Sequence, residues 1–268
     1  MPVLVDSHTH IDMRAYNGDR DQVLERARMA GVAALVDVGC DLDSSRAVLE
    51  LAKRYTEVFA AVGFHPHDAA KMSDGDLEIL SELTQNPKVV AIGEIGLDFY
   101  RNLSPREVQI DAFKKQLALA QRLRLPVIVH CRDAQDEVLS ILTEWAYGAD
   151  GVAGASGVKE PLGVLHCFSG DRDISQRYIE MGFLLSIAGP ITYSPSHTVG
   201  IAHYIPLDKL LIETDCPFLT PQPYRGKRNE PSNVSFVAGK IGEIKGVPID
   251  VVARNTTANA VRLFGLPL

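Results

Sequence analysis

Short apolar runs rich in β-branched residues recur along the chain, each followed by a longer stretch whose apolar positions return with helical spacing. The runs cover residues 3–5, 34–38, 58–62, 89–92, 127–129, 163–165, 183–187 and 209–212. They lack clean alternation with polar residues, as strands do when both faces of a parallel sheet are buried. Helical spacing is clear over 21–29, 44–54 and 106–123, and Ser104-Pro105-Arg106-Glu107 reads as an N-cap, a proline at the first helical position and a capping-box glutamate. Two further helical segments, 234–245 and 250–264, follow the last strand. Eight strand-then-helix units in about 250 residues is the count of a TIM barrel. The expected fold is therefore α/β, a single (β/α)8 TIM barrel with extra C-terminal helices, forming one domain over residues 1–268. An open doubly wound sheet is the alternative, but no G-x-G-x-x-G follows the first strand to favour its dinucleotide-binding form.

Composition narrows the function classes. Of the 268 residues, 46% are hydrophobic and 23% charged, which is ordinary for a soluble globular chain. A net charge of −7 excludes a globally basic nucleic-acid binder, though not a locally basic site on an acidic body. Cys40, Cys131, Cys167 and Cys216 show no C-x-x-C spacing, and each follows a strand-like run, so they read as reduced thiols packed as small hydrophobes. Neither a signal peptide nor a membrane-length apolar run is visible, and a cytoplasmic protein with no protein partner implied is the expectation. A Gly/Ala-rich stretch, 148–159, reads as a flexible surface insertion at the face of the barrel away from the chemistry.

In a TIM barrel, chemistry sits at the C-terminal ends of the strands. Those ends carry His8 and His10, His65 and His67, Glu94, His130, His166 and Asp215, so that six of the chain's eight histidines fall there. His8 and His10 stand two apart on a strand and project together; Asp6 shares their parity, in a place to orient one ring. With His65 and His67 set aside, four imidazoles and two carboxylates exceed what one Zn²⁺ needs and suit two divalent ions sharing a carboxylate. Glu94, on the fourth strand, is the natural bridge. One ion then has His8, His10, Asp215 and Glu94, the other Glu94, His130 and His166. Barrel closure would bring Asp215 beside the strand 1 pair. Such mixed donors admit Zn²⁺, Mg²⁺ or Mn²⁺.

Several stretches together resemble the TatD-type metal-dependent deoxyribonucleases of the amidohydrolase-like TIM-barrel superfamily. They are Asp6-Ser7-His8-Thr9-His10-Ile11-Asp12, Gly63-Phe64-His65-Pro66-His67, Gly93-Glu94-Ile95-Gly96-Leu97-Asp98-Phe99-Tyr100, Pro126-Val127-Ile128-Val129-His130-Cys131-Arg132, Leu165-His166-Cys167-Phe168-Ser169-Gly170, Glu213-Thr214-Asp215-Cys216-Pro217-Phe218-Leu219-Thr220-Pro221 and Tyr224-Arg225-Gly226-Lys227-Arg228-Asn229-Glu230-Pro231. The family's metal-binding positions fall on His8, His10, Glu94, His130, His166 and Asp215. The resemblance implies hydrolysis of DNA phosphodiester bonds, with single strands or 3′ ends as substrate and exonuclease action.

In that chemistry Asp215 can take the proton of the attacking water, and Glu94 counts with it as catalytic. His65 is positioned to hydrogen-bond the phosphate or protonate the leaving oxygen, unless His65-Pro66-His67 is only a rigid turn. Arg225, Lys227 and Arg228 form the strongest basic cluster and read as phosphate contacts, against the plainer reading of a solvated loop paired with Glu230 or helix ends. Arg132 points the same way, or pairs with Asp133 or Asp136. Tyr100 and Phe99 are candidates to stack on a base, Phe99 equally for the core. Asp98 either holds its loop or meets a ribose; Gly96 allows close backbone approach or a turn. Two other readings stand beside the nuclease: an ester or amide hydrolase such as a D-aminoacyl-tRNA deacylase, and a non-catalytic binding module.

Overall fold

Where the apolar runs lie, parallel strands form. A computed structural model describes residues 2–149, 151–152, 161–222 and 224–268; most of the 148–159 stretch lies outside them. The strands are β1 (Leu4–Thr9), β2 (Val32–Val38), β3 (Val58–Val62), β4 (Val89–Asp98), β5 (Val127–Arg132), β6 (Gly163–Leu165), β7 (Phe183–Ile187) and β8 (Leu210–Ile212). They make one sheet in the order β1 to β8. The ends of the sheet meet through a parallel bridge between Thr9 and Cys216, beyond β8, and through Asp215 N–H donating to His8 O at 3.0 Å. The result is a nearly closed barrel, the (β/α)8 architecture expected.

Helices α1 (Arg20–Met29), α2 (Leu42–Arg54), α3 (Asp74–Leu83), α4 (Arg106–Leu123), α5 (Gln135–Tyr147), α6 (Arg172–Glu180) and α7 (His197–Tyr204) alternate with the strands. After β8 come α8 (Val234–Lys245), which completes the eighth strand–helix unit, and α9 (Ile249–Phe264), the one α-helix beyond it among the described residues. In α2, Val48, Leu49 and Ala52 are buried against the sheet behind a capping box made by Asp41 and Ser44. The α4 cap differs from expectation. Pro105 is the N-cap residue, and the Ser104 hydroxyl donates instead to His67 O at 2.9 Å while accepting from Ala70 N–H. Its hydroxyl serves the loop behind His65 and leaves the helix end to the pre-set proline.

Two apolar layers result. The outer one lies between strands and helices. The inner one fills the barrel with Val5, Val36, Ala61, Val90, Ile128 and further strand residues, and Leu263, Phe264 and Leu266 close it at the N-terminal ends of the strands. The opposite end is left for polar side chains. No helix among the described residues is long and apolar enough to cross a membrane.

Candidate metal centre

At their C-terminal ends the strands border a cavity of about 710 Å³. β1 aims its histidines there through an irregularity. Its pairing with β2 runs from Asp6↔Leu35 to Thr9↔Asp37, three residues against two, which is a bulge that re-aims the side chains beyond it. Before the bulge Val5 and Ser7 face the barrel interior, with Ser7 Oγ 3.0 Å from Ser186 Oγ. Beyond it Thr9 turns outward to Val36 O and Asp37, and His8 and His10 turn inward with their Nε2 atoms 3.2 Å apart. Asp6, on the other side of the bulge, does not share their face. Its carboxylate accepts from Thr214 N–H at 2.9 Å and Thr214 Oγ1 at 2.6 Å, so it anchors the residue before Asp215 and orients no ring.

A second bulge serves Glu94. Pairing passes from Ile92↔Val127 to Ile95↔Val129, and glycines let β4 press onto β5: a Cβ on Gly93 would meet Ile128 Cβ at 2.6 Å, and one on Gly96 would meet His130 O at 2.0 Å. Gly96 is thus a close approach, not a turn. β4 also runs on to Asp98, well past the predicted 89–92, because polar Glu94 interrupts the apolar pattern without interrupting the ladder.

Glu94 is the hub. Its Oε2 lies 3.3 Å from His8 Nε2 and 3.9 Å from His10 Nε2. Its Oε1 lies 2.7 Å from His130 Nδ1, 2.9 Å from His166 Nε2 and 3.5 Å from His65 Nε2. Asp215 Oδ1 stands 3.5 Å from His10 Nε2 and 3.9 Å from His8 Nε2, on a residue whose φ of 53° places it in the left-handed region. One carboxylate oxygen therefore faces the β1 pair and the other faces the histidines of β5 and β6.

Behind the rings stand oxygens that favour a proton on the outer nitrogen. His10 Nδ1 donates to Val38 O at 2.8 Å and His130 Nε2 lies 3.3 Å from Asp98 Oδ2, while Glu213 Oε1 stands 3.3 Å from His166 Nδ1 without a hydrogen bond. A proton on the outer nitrogen of His10 and His130 leaves the inner one facing Asp215 and Glu94, respectively. His65 is the opposite: its Nδ1 accepts from His67 N–H at 3.1 Å, so its Nε2 presents a proton to the cavity. Burial lowers its pKa to about 4, outweighing the attraction of Glu94.

The Nε2 atoms of His8 and His10 lie 3.2 Å apart, as do His130 Nδ1 and His166 Nε2. Each spacing suits two ligands of one cation, since ligands about 2.1 Å from one ion sit about 3 Å from each other. His8 Nδ1 is buried without a partner. Burial alone would raise the Glu94 pKa, but His166, His65 and His8 hold it well below the carboxylate range. Burial likewise opposes charge on His166, yet Glu94 and Glu213 raise its pKa well above the imidazole range. Two donor groups, His8–His10–Asp215 and His8–Glu94–His166, have the spacing of metal sites. A third, His65–Glu94–His130, brings His65 to the edge of the donor set. The described residues thus fit divalent ions.

Two carboxylates were not singled out for this role from sequence. Asp98, fully buried, accepts from Arg101 N–H at 2.7 Å and lies 2.8 Å from His67 Nε2 as well as against His130, so it holds rings and loop together. Glu213, fully buried, accepts from Cys167 N–H at 2.6 Å beside His166. An acidic residue next to a metal-ligand motif was the available signal; which ring it backs depends on the fold.

The candidate substrate contacts separate. Arg132 lines the cavity with its guanidinium 3.9 Å above the Tyr100 ring, beside Arg101, which went unremarked in the sequence. Phe99 packs on the core under Arg106. Arg225, stacked on Tyr193, and Lys227 are exposed on the loop after β8. Arg228 follows the plainer reading, not that of a phosphate contact: its guanidinium donates to Asp19 Oδ1 at 2.8 Å, Asp19 Oδ2 at 2.7 Å, Ala15 O and, at 3.3 Å, Glu230 Oε1, and covers Tyr16. The two oxygens of Asp19 fit its planar fork and fasten it to the first loop, away from the cavity.

A family model described as TatD related DNase matches residues 5–265. The chain is 42% identical over 98% of its length to an uncharacterized metal-dependent hydrolase, YabD, of Bacillus subtilis, 99% of which is covered. It is 37% identical over 92% of its length to the 3′-5′ ssDNA/RNA exonuclease TatD of Citrobacter koseri, covering 94% of that protein. Among solved structures, YjjV, a TatD homolog from Escherichia coli, superposes with a TM-score of 0.89 at 33% identity, with 98% of each chain covered.

Proposed function

The chain belongs to the TatD-related DNase family, and we propose that it hydrolyses phosphodiester bonds of DNA with two divalent ions held around Glu94, residues 1–268 acting as one domain. The observation that carries this reading is the division of the Glu94 carboxylate between two sets of imidazoles. His8, His10, Asp215 and Glu94 would hold one ion, and Glu94, His130 and His166 the other; Zn²⁺, Mg²⁺ and Mn²⁺ all suit such donors. Divalent ions bound there supply Lewis-acid activation of a water and neutralise charge growing on phosphate. Asp215, at the cavity wall beside His10, accepts the proton of that water at its free carboxylate oxygen. His65 donates from Nε2 to a phosphate oxygen or to the leaving oxygen. Arg132 draws the diester into the mouth, Tyr100 backs it, and Arg225 and Lys227 meet the strand farther out.

Single strands, attacked at a 3′ end, are the proposed substrate, in keeping with the exonuclease named in Citrobacter koseri. That relationship also turns the reading away from aminoacyl esters and from an inert binding module. A cytoplasmic setting belongs to the same proposal, since all four cysteines are free thiols. The test is cleavage of end-labelled single-stranded DNA, with RNA and an aminoacyl ester in parallel. Metal-free protein is reconstituted separately with Mg²⁺, Mn²⁺ and Zn²⁺, and a Glu94→Ala, Asp215→Ala double variant serves as control. Metal-dependent shortening that the double variant abolishes is the expected result. A protein that binds about two ions per chain and leaves every nucleic acid intact would overturn it.

A further inference from the structure

The walls of the cavity are chemically sorted. Arg101 and Arg132 stand on the β4–β5 side, whereas Ala188, Pro190, Phe218 and Leu219, from the loops after β7 and β8, make an apolar shelf. Phe218 is 50% exposed on that shelf, with its ring centroid 6.3 Å from that of His10 at an interplanar angle of 68°. The ring is exposed on a rigid mount. Phe218 N–H donates to Asp215 O at 2.9 Å, and Phe218 O accepts from the Nδ2 of buried Asn229 at 2.7 Å. An aromatic side chain three residues from Asp215 is thus held in water at a set distance from the donor cluster.

Resting on the phosphodiester reading, we infer that Phe218 is the stacking surface for the base of the nucleotide being cleaved, and that it selects for single strands. Phosphate, drawn to the cationic wall and to the ions that the donor cluster would hold, leaves its base facing the apolar one. A flat apolar ring accepts any base that offers a free face, without regard to sequence. In a duplex that face is covered by neighbouring pairs, and exposing it costs unstacking and unpairing. Tyr100, the stacking candidate from sequence, already has one face taken by Arg132.

The test is a double-mutant cycle on kcat/KM, wild type and Phe218→Ala against two short single strands, one normal and one abasic at both terminal nucleotides. Wild type should prefer the normal strand by about 5- to 150-fold, the range of one base–aromatic stack. Phe218→Ala should bring that ratio near one and narrow the preference for single strand over blunt duplex, and Phe218→Tyr should restore both. Ratios unchanged in Phe218→Ala overturn the inference while leaving hydrolysis standing. Wild-type protein that cleaves neither strand with any of the three ions overturns the phosphodiester reading, and this one with it.

Discussion

Asp98 and Arg228 illustrate how much a charged residue's neighbours decide its work. Asp98 reaches no ion in the proposed arrangement but orients His130, so Asp98→Asn should weaken divalent-metal binding by about 10- to 100-fold, as loss of such backing carboxylates does. Titration of metal-free protein with Mn²⁺ measures this directly; an unchanged affinity would make Asp98 a loop anchor only. Arg228, spent on Asp19, Ala15 and Tyr16, should behave as a structural residue. Arg228→Ala should cost up to about 1 kcal/mol of stability in denaturant unfolding and leave kcat/KM on DNA unaltered. A drop in DNA affinity with stability intact would return Arg228 to the substrate contacts. From sequence the cluster Arg225, Lys227 and Arg228 is three equal cations, because nothing local reveals that Asp19 lies across the loop from one of them.

At the scale of elements, β4 and β5 are the pair on which the centre depends. The β4 bulge turns Glu94 inward, and Gly96 lets His130 approach from β5. Gly96→Ala would place a methyl carbon 2.0 Å from His130 O at a φ of +140°. Such a clash forces the strands apart and should cost more than about 4 kcal/mol, or prevent folding. Circular dichroism and metal content of whatever soluble protein is recovered would register it; a stable, fully metal-loaded Gly96→Ala protein would contradict the geometry. At the far end, Phe264 of α9 plugs the inner layer, and Phe264→Ala should destabilise by about 3–5 kcal/mol without altering metal stoichiometry. Helix α9 and most strands lie close to their sequence expectation, since runs of apolar residues report burial on their own. The strands misjudged most are β1 and β4, and both carry bulges and polar ends aimed at the site.

For the molecule as a whole, a barrel sealed at one end by apolar side chains concentrates its polar burial at the other. There, imidazoles and carboxylates converge within reach of shared ions, so removal of bound metal should lower thermal stability. Each ion at a hundred-fold excess over its Kd adds about 2.7 kcal/mol, so two add about 5.4 kcal/mol. At about 2–4 °C per kcal/mol, stripping both with a chelator should lower Tm by roughly 10–20 °C, restored by Mn²⁺ or Zn²⁺ in a thermal-shift measurement. A melting curve indifferent to chelator would mean that the donor cluster does not hold metal.

From the chain alone came the eight-fold alternation, the two C-terminal helices and the roster of polar residues at strand ends, because apolar periodicity and histidine placement are local properties. The assembled barrel alone decided that Asp6 backs Thr214 while His8 and His10 converge, that Asp98 and Glu213 stand behind His130 and His166, that Arg228 faces away, and that Phe218 stands on the cavity wall. The physical reason lies in contacts between residues far apart in sequence. A one-residue bulge inverts the parity of His8 and His10, the Asp6–Thr214 and Asp19–Arg228 contacts exist only once closure brings β1 beside β8, and Asp98 and Glu213 reach His130 and His166 only across the assembled barrel.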